Sequence, residues 1–190
     1  MKNYLQSFFW GLIAAGMALV LQIFLTLLFY NNINLNKFEF FSLLFLAFFV
    51  LIEESFKYLI LVKKISIFSL SKKKLLLNSW FAGIGFSMLE IFILYQKKII
   101  DNIMLDKLAL IEIVLLHILT FGILGYITFT KRKINKIRIF VFIFAIHFLY
   151  NFSILYLDKL ALNIKNIIII ILLIANIGVF FLVNKKLAQE

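Results

Sequence analysis

The sequence predicts an all-α polytopic membrane protein, one domain built as a bundle of about six spanning helices. Hydrophobic residues fill 64% of the 190 positions and charged residues only 15%, against roughly 45–50% and about 25% in soluble domains. Apolar runs of about 20 residues, the length that crosses a bilayer, recur along the chain. The basic residues that give a formal charge of +11 cluster between those runs. Basic loops of this kind hold a cytoplasmic face against anionic lipid and are no indication of nucleic acid. The absence of cysteine excludes disulfide and thiolate chemistry.

The first span covers Phe8 to Tyr30. It is longer than the roughly 7–15-residue core of a secretory signal and has no clear small-residue cleavage site, so a retained helix is expected. After a polar loop, Asn31 to Lys37, the second span runs from Phe40 to Val62 and holds two adjacent carboxylates, Glu53 and Glu54. A basic loop with Lys63, Lys64, Lys72, Lys73 and Lys74 leads to the third span, Leu75 to Tyr95, with Gly83, Gly85 and Glu90. Beyond a mixed-charge loop, Gln96 to Lys107, the fourth span (Leu108 to Phe129) carries Glu112, His117, Gly122 and Gly125. Lys131, Arg132, Lys133, Lys136 and Arg138 form a second basic loop before the fifth span, Ile139 to Tyr156, with His147 and Asn151. Leu157 to Asn166 connects to the last span, Ile167 to Val183.

Six spans leave both termini on one side. With the amino terminus inside, 13 basic residues fall on the inner segments and 6 on the outer ones, Lys165 among the outer. The positive-inside rule therefore places both termini in the cytoplasm of a multi-pass cell-membrane protein. Tyr30, Tyr95 and Tyr156 then mark outer helix ends, and Trp10, Trp80 and Tyr126 inner ones, as an aromatic belt.

Against that apolar background, Glu53, Glu54, Lys57, Glu90, Glu112, His117, His147 and Asn151 need a reason to exist. A charge at the centre of a spanning helix costs about 2.5–3.5 kcal/mol on insertion scales, so these groups should face the bundle interior or a wet cavity. Glu53, His117 and His147 lie near the middle of their spans, and Glu90 somewhat toward the outer end. His147 and Asn151, four apart, share a helix face. Glu53 and Glu54 are about 100° apart around the helix, so one is expected to face a site while the other orients it or pairs with Lys57. Neighbouring carboxylates in a low dielectric compete for ionisation, which suits a general acid or base. Lys57 could equally snorkel to the inner interface. Glu112 is expected to reach the outer headgroups, and Gly83, Gly85, Gly122 and Gly125 to be packing positions.

Four segments resemble the PrsW family of intramembrane proteases, within the wider superfamily of CAAX proteases and bacteriocin-processing proteins. Glu53-Glu54-Ser55-Phe56-Lys57 is similar to its E-E-x-x-K motif and Gly85-Phe86-Ser87-Met88-Leu89-Glu90 to its G-F-x-x-x-E segment. His117-Ile118-Leu119-Thr120, with Gly125-Tyr126, resembles the third motif, and His147 with Asn151 the H-x-x-x-N element. Ile91 stands where the family often has Asn, which weakens any role for an amide there. The resemblance implies hydrolysis of a peptide bond in a membrane-associated protein or peptide, in the manner of regulated anti-sigma-factor cleavage. It implies that Glu53 or Glu54 activates water and Glu90 holds or tunes it. His147 and Asn151 would donate to the oxyanion, and His117 would transfer a proton or act as a ligand. The resemblance also leaves open a divalent metal such as zinc, for which two histidines and carboxylates suffice although no H-E-x-x-H is present. The alternatives are a non-enzymatic bacteriocin self-immunity protein and a proton-coupled transporter; no repeat or Gly/Pro-broken helix favours the transporter.

Overall fold

A long apolar run without proline satisfies its backbone most readily as helix, and every regular element among the described residues is helical. The computed structural model describes residues 2–30, 38–100, 107–128, 133–156 and 161–187. In chain order these form α1 (Lys2–Tyr30) and α2 (Phe38–Ile60), then a π-helical turn (Leu61–Ile65) running into the short α3 (Ser66–Phe68). They continue as α4 (Lys72–Ile100), α5 (Lys107–Ile127), α6 (Lys133–Tyr156) and α7 (Ala161–Leu187). Among the described residues five helices, α1 and α4 to α7, are long and apolar enough to cross a membrane. The sixth long helix, α2, has 23 residues, but Glu53, Glu54 and Lys57 interrupt its apolar run.

The helices overrun the apolar spans, because hydropathy marks only their greasy part while backbone hydrogen bonding continues into the polar flanks. α1 begins at Lys2, α4 at Lys72, α6 at Lys133 and α7 at Ala161. At α4 the cause is visible: Ser71 accepts the Lys74 N–H on its hydroxyl at 3.2 Å and the Leu75 N–H on its carbonyl at 2.9 Å, as an N-cap does. Lys72, Lys73 and Lys74 are thus a first helical turn. The expected Asn31–Lys37 loop, and Lys131 with Arg132, lie outside the described residues.

α4 sits between α1 and α5, and two glycines let it. Gly83 and Gly85 lie about 200° apart around the helix, so they face opposite neighbours. A methyl group on Gly85 would come 2.0 Å from the Phe8 carbonyl oxygen of α1, and one on Gly83 2.6 Å from the Ile118 Cα of α5. Ala14, Ala15 and Ala18 are buried along the same side of α1. Small residues that let backbones touch are the expected means of packing apolar helices. Gly85→Ala is therefore expected to destabilise the fold by about 1–3 kcal/mol through overpacking. A lowered thermal midpoint of the purified protein in detergent would show it, and an unchanged midpoint would contradict the close α1–α4 contact.

Two expectations are corrected. Glu112 does not reach for headgroups: its side chain is 6% exposed and pairs with Lys165 of α7 at 2.7 Å, and it accepts the Tyr150 hydroxyl at 3.2 Å. Lys165 is accordingly no outer-loop charge but a residue of α7, 14% exposed. A carboxylate near a helix end finds an internal cation more favourable than desolvation without one. Trp80 likewise turns its indole N–H inward, donating to Asn176 Oδ1 at 3.1 Å, while Asn176 donates to the Leu119 carbonyl at 3.0 Å. Outward faces stay apolar, with Val20, Leu27 and Phe181 each about two-thirds exposed.

Candidate active site

The C-terminal half of α2 presents three charges, Glu53, Glu54 and Lys57, on two faces. Glu54 and Lys57, one turn apart, both point inward and are 0% exposed. Lys57 Nζ donates to Glu54 Oε1 at 2.6 Å and to Thr120 Oγ1 of α5 at 3.2 Å. Its remaining surface lies over the Phe86 ring of α4, 4.8 Å from the centroid, where the π-face is attractive to a desolvated cation. Lys57 is thus a buried partner and does not snorkel. On the other side Glu54 Oε1 meets His147 Nδ1 of α6 at 2.5 Å. A carboxylate ionised against Lys57 can only accept, so Nδ1 carries the hydrogen of this contact.

Glu53, rotated by one residue, faces away from this pair toward α1. Its Oε1 accepts from Gln22 Nε2 at 3.0 Å. Its Oε2 has no hydrogen-bond partner although buried, and lies 3.7 Å from His147 Nε2. The Glu53 side chain is 17% exposed, against 0% for Glu54. α4 contributes Glu90, 36% exposed, which contacts His117 Nε2 of α5. His117 Nδ1 is buried without a partner. The two imidazoles stand edge-to-face with centroids 5.4 Å apart, and Phe86 packs against His117 at 4.7 Å.

Four helices therefore deliver five of the expected residues, Glu53, Glu54, Glu90, His117 and His147, to one cluster. The sixth, Asn151, lies one turn beyond His147 on α6, partly buried, and among the described residues makes no hydrogen bond with the others. Each histidine has one ring nitrogen committed to a glutamate and one left over. A cleft of about 180 Å³ opens beside the cluster, bounded by Gln22 and Ala18 of α1, Glu53 of α2, and Glu90 and Ile93 of α4. Both histidines, 0% and 1% exposed, lie deeper in the bundle. One ligand atom from each of Glu53, His117 and His147 falls within 4.8 Å of the other two, so these three residues could hold a metal ion. Glu90 and Glu54 would then be the outer carboxylates that orient histidine ligands.

Gln22 and Thr120 were not singled out among the site residues from sequence. Gln22 is the one strongly polar side chain between Ser7 and Thr26 in an otherwise greasy helix, a mark that could have found it. Thr120 follows His117 by three residues, and only the fold reveals that Lys57 needs it. No family model matches the chain, and no curated protein or solved structure matches it.

Proposed function

We infer that the protein is a multi-pass membrane endopeptidase that hydrolyses a peptide bond of a membrane-associated protein or peptide. The observation that carries this is the Glu53 carboxylate: one oxygen tethered, the other unpartnered, at the edge of a cleft and beside a histidine that a second glutamate orients. An unpartnered buried carboxylate oxygen is costly, and a general base is a use that repays its retention.

In this mechanism Glu53 Oε2 takes a proton from a water in the cleft as the water oxygen attacks the substrate carbonyl carbon. The C–O bond forms, the carbonyl π electrons move to oxygen, and His147 stabilises that oxyanion through an Nε2–H, together with the Asn151 amide one turn away. Glu53 then returns the proton to the amide nitrogen as the C–N bond breaks, leaving a carboxyl and an amine terminus. Glu54 and Lys57 hold the His147 ring, and Glu90 holds His117. The orphaned Glu53 and His117 atoms fit a divalent cation such as zinc as well. Bound there, it would add Lewis acidity toward water.

The apolar outward faces support insertion in a membrane, and α2 joins the five apolar helices as a sixth span because Glu54 and Lys57 pair inside the bundle and Glu53 faces the cleft. The basic segments support cytoplasmic termini. With Lys165 inside the bundle, the outer segments carry five basic residues and the asymmetry against 13 inside grows. The test compares membrane proteomes of host cells carrying the wild-type chain or Glu53→Gln. A membrane-protein precursor should accumulate, and its shortened product vanish, in the variant. Identical cleavage products in both would overturn the inference. Protection of the cell from a bacteriocin that persists after loss of both Glu53 and Glu54 would instead favour a peptide-binding immunity role.

A further inference from the structure

We propose that Gln22 of α1 is a positioning residue that aims Glu53. Its amide nitrogen donates to Glu53 Oε1 at 3.0 Å and to the Phe49 carbonyl oxygen at 3.2 Å. Phe49 lies one turn before Glu53 on the same face of α2, so the donor is anchored to the backbone beneath the carboxylate it serves. With Oε1 held, the free Oε2 is directed to the cleft side of His147 Nε2.

A neutral amide suits this task where a cation does not. Lys57 sets an ammonium 2.6 Å from Glu54 Oε1 and makes that carboxylate an ionic strut. The same charge at position 22 would engage Glu53 in the same way and remove its basicity. An amide orients one oxygen and leaves the other available. The groups that face Glu53 are Gln22 from α1, His147 from α6, His117 from α5, and Glu90, which shares the cleft, from α4. Among them only Gln22 donates a hydrogen bond to it within 3.5 Å. Ala18 and Ala15, one and two turns earlier on α1, also line the cleft, so α1 supplies a donor without filling the space beside it. α1 thereby becomes part of the site, although the motifs of the sequence lie on α2 and α4 to α6.

The geometry is tested without a substrate, on the full chain in detergent, with dicyclohexylcarbodiimide, which modifies protonated carboxyls in apolar surroundings. Donation by an amide favours the ionised carboxylate. Gln22→Met keeps length and volume and removes the donor, so labelling of Glu53, mapped by peptide mass spectrometry, should accelerate several-fold. Labelling of Glu112, which is held by Lys165 of α7 and Tyr150 of α6, should not change. Gln22→Asn keeps an amide that is one methylene short and should behave like Gln22→Met, which a purely volumetric role would not predict. Equal Glu53 labelling in the wild type and both variants overturns the proposal. The consequence for turnover rests on the endopeptidase function and is a separate arm, in which Gln22→Met lowers the ratio of product to precursor at equal protein abundance. Accelerated labelling in a host with no cleavage product would sustain the geometry and sink the endopeptidase. A cleavage ratio unchanged by Gln22→Met overturns the positioning role.

Discussion

Glu53→Gln is expected to lower the cleavage rate by about 10²–10⁴-fold, the range a positioned general base contributes, while leaving the helical bundle folded. The amide replaces a carboxylate of nearly the same volume and can still accept from Gln22 through its own oxygen, so the α1–α2 contact survives. What is lost is the capacity of the second oxygen to take a proton beside His147. Removing a buried, unpartnered oxygen anion also lifts a desolvation cost, so the variant should be at least as stable as the wild type. The ratio of product to precursor in membranes, at matched protein level, measures the first effect, and a thermal melt in detergent measures the second.

The largest effect on stability belongs to Lys57→Met. Truncating one partner of a fully buried ion pair strands the other, at a cost of about 3–5 kcal/mol. Glu54, 0% exposed, would keep only His147 on Oε1, and its Oε2 already lacks a partner. Thr120 and the Phe86 face would lose a hydrogen-bond donor and a cation together. A second change, Glu54→Gln, removes the stranded charge and should recover part of the loss. The coupling energy from the double-mutant cycle should lie in the upper part of the roughly 0.5–3 kcal/mol seen for contacting groups. Additive losses would mean that the pair is not the unit its 2.6 Å contact indicates.

The helical class and the main cluster were legible in the sequence because bilayer-length apolar runs leave few alternatives and make each buried charge conspicuous. Glu53 and Glu54 had to diverge by the helix geometry alone. Which of them turns inward was not legible, since that depends on where Thr120 of α5 and the Phe86 ring of α4 stand to receive Lys57. Glu112 misled for the same reason: position along a helix gives depth, whereas its partner Lys165 comes from a helix 53 residues away. Lys165 itself was hidden by hydropathy, which ends a span before the helix ends. Gln22 escaped notice because an uncharged side chain stands out less than a carboxylate, and its contact at 3.0 Å is with another helix. The glycines at 83 and 85 could be read as packing positions, but their division between α1 and α5 follows only from the assembled bundle.

The central claim is that two adjacent glutamates have different tasks, Glu53 as the base and Glu54 as the strut that holds His147. It is tested by measuring cleavage and melting for Glu53→Gln and Glu54→Gln side by side in the same host membranes. The account predicts that Glu53→Gln abolishes the cleavage product at an unchanged or raised melting temperature, whereas Glu54→Gln lowers the melting temperature because Lys57 is left buried without a counter-charge. Product formation that persists in Glu53→Gln, or a melting temperature that falls with Glu53→Gln and not with Glu54→Gln, would contradict it.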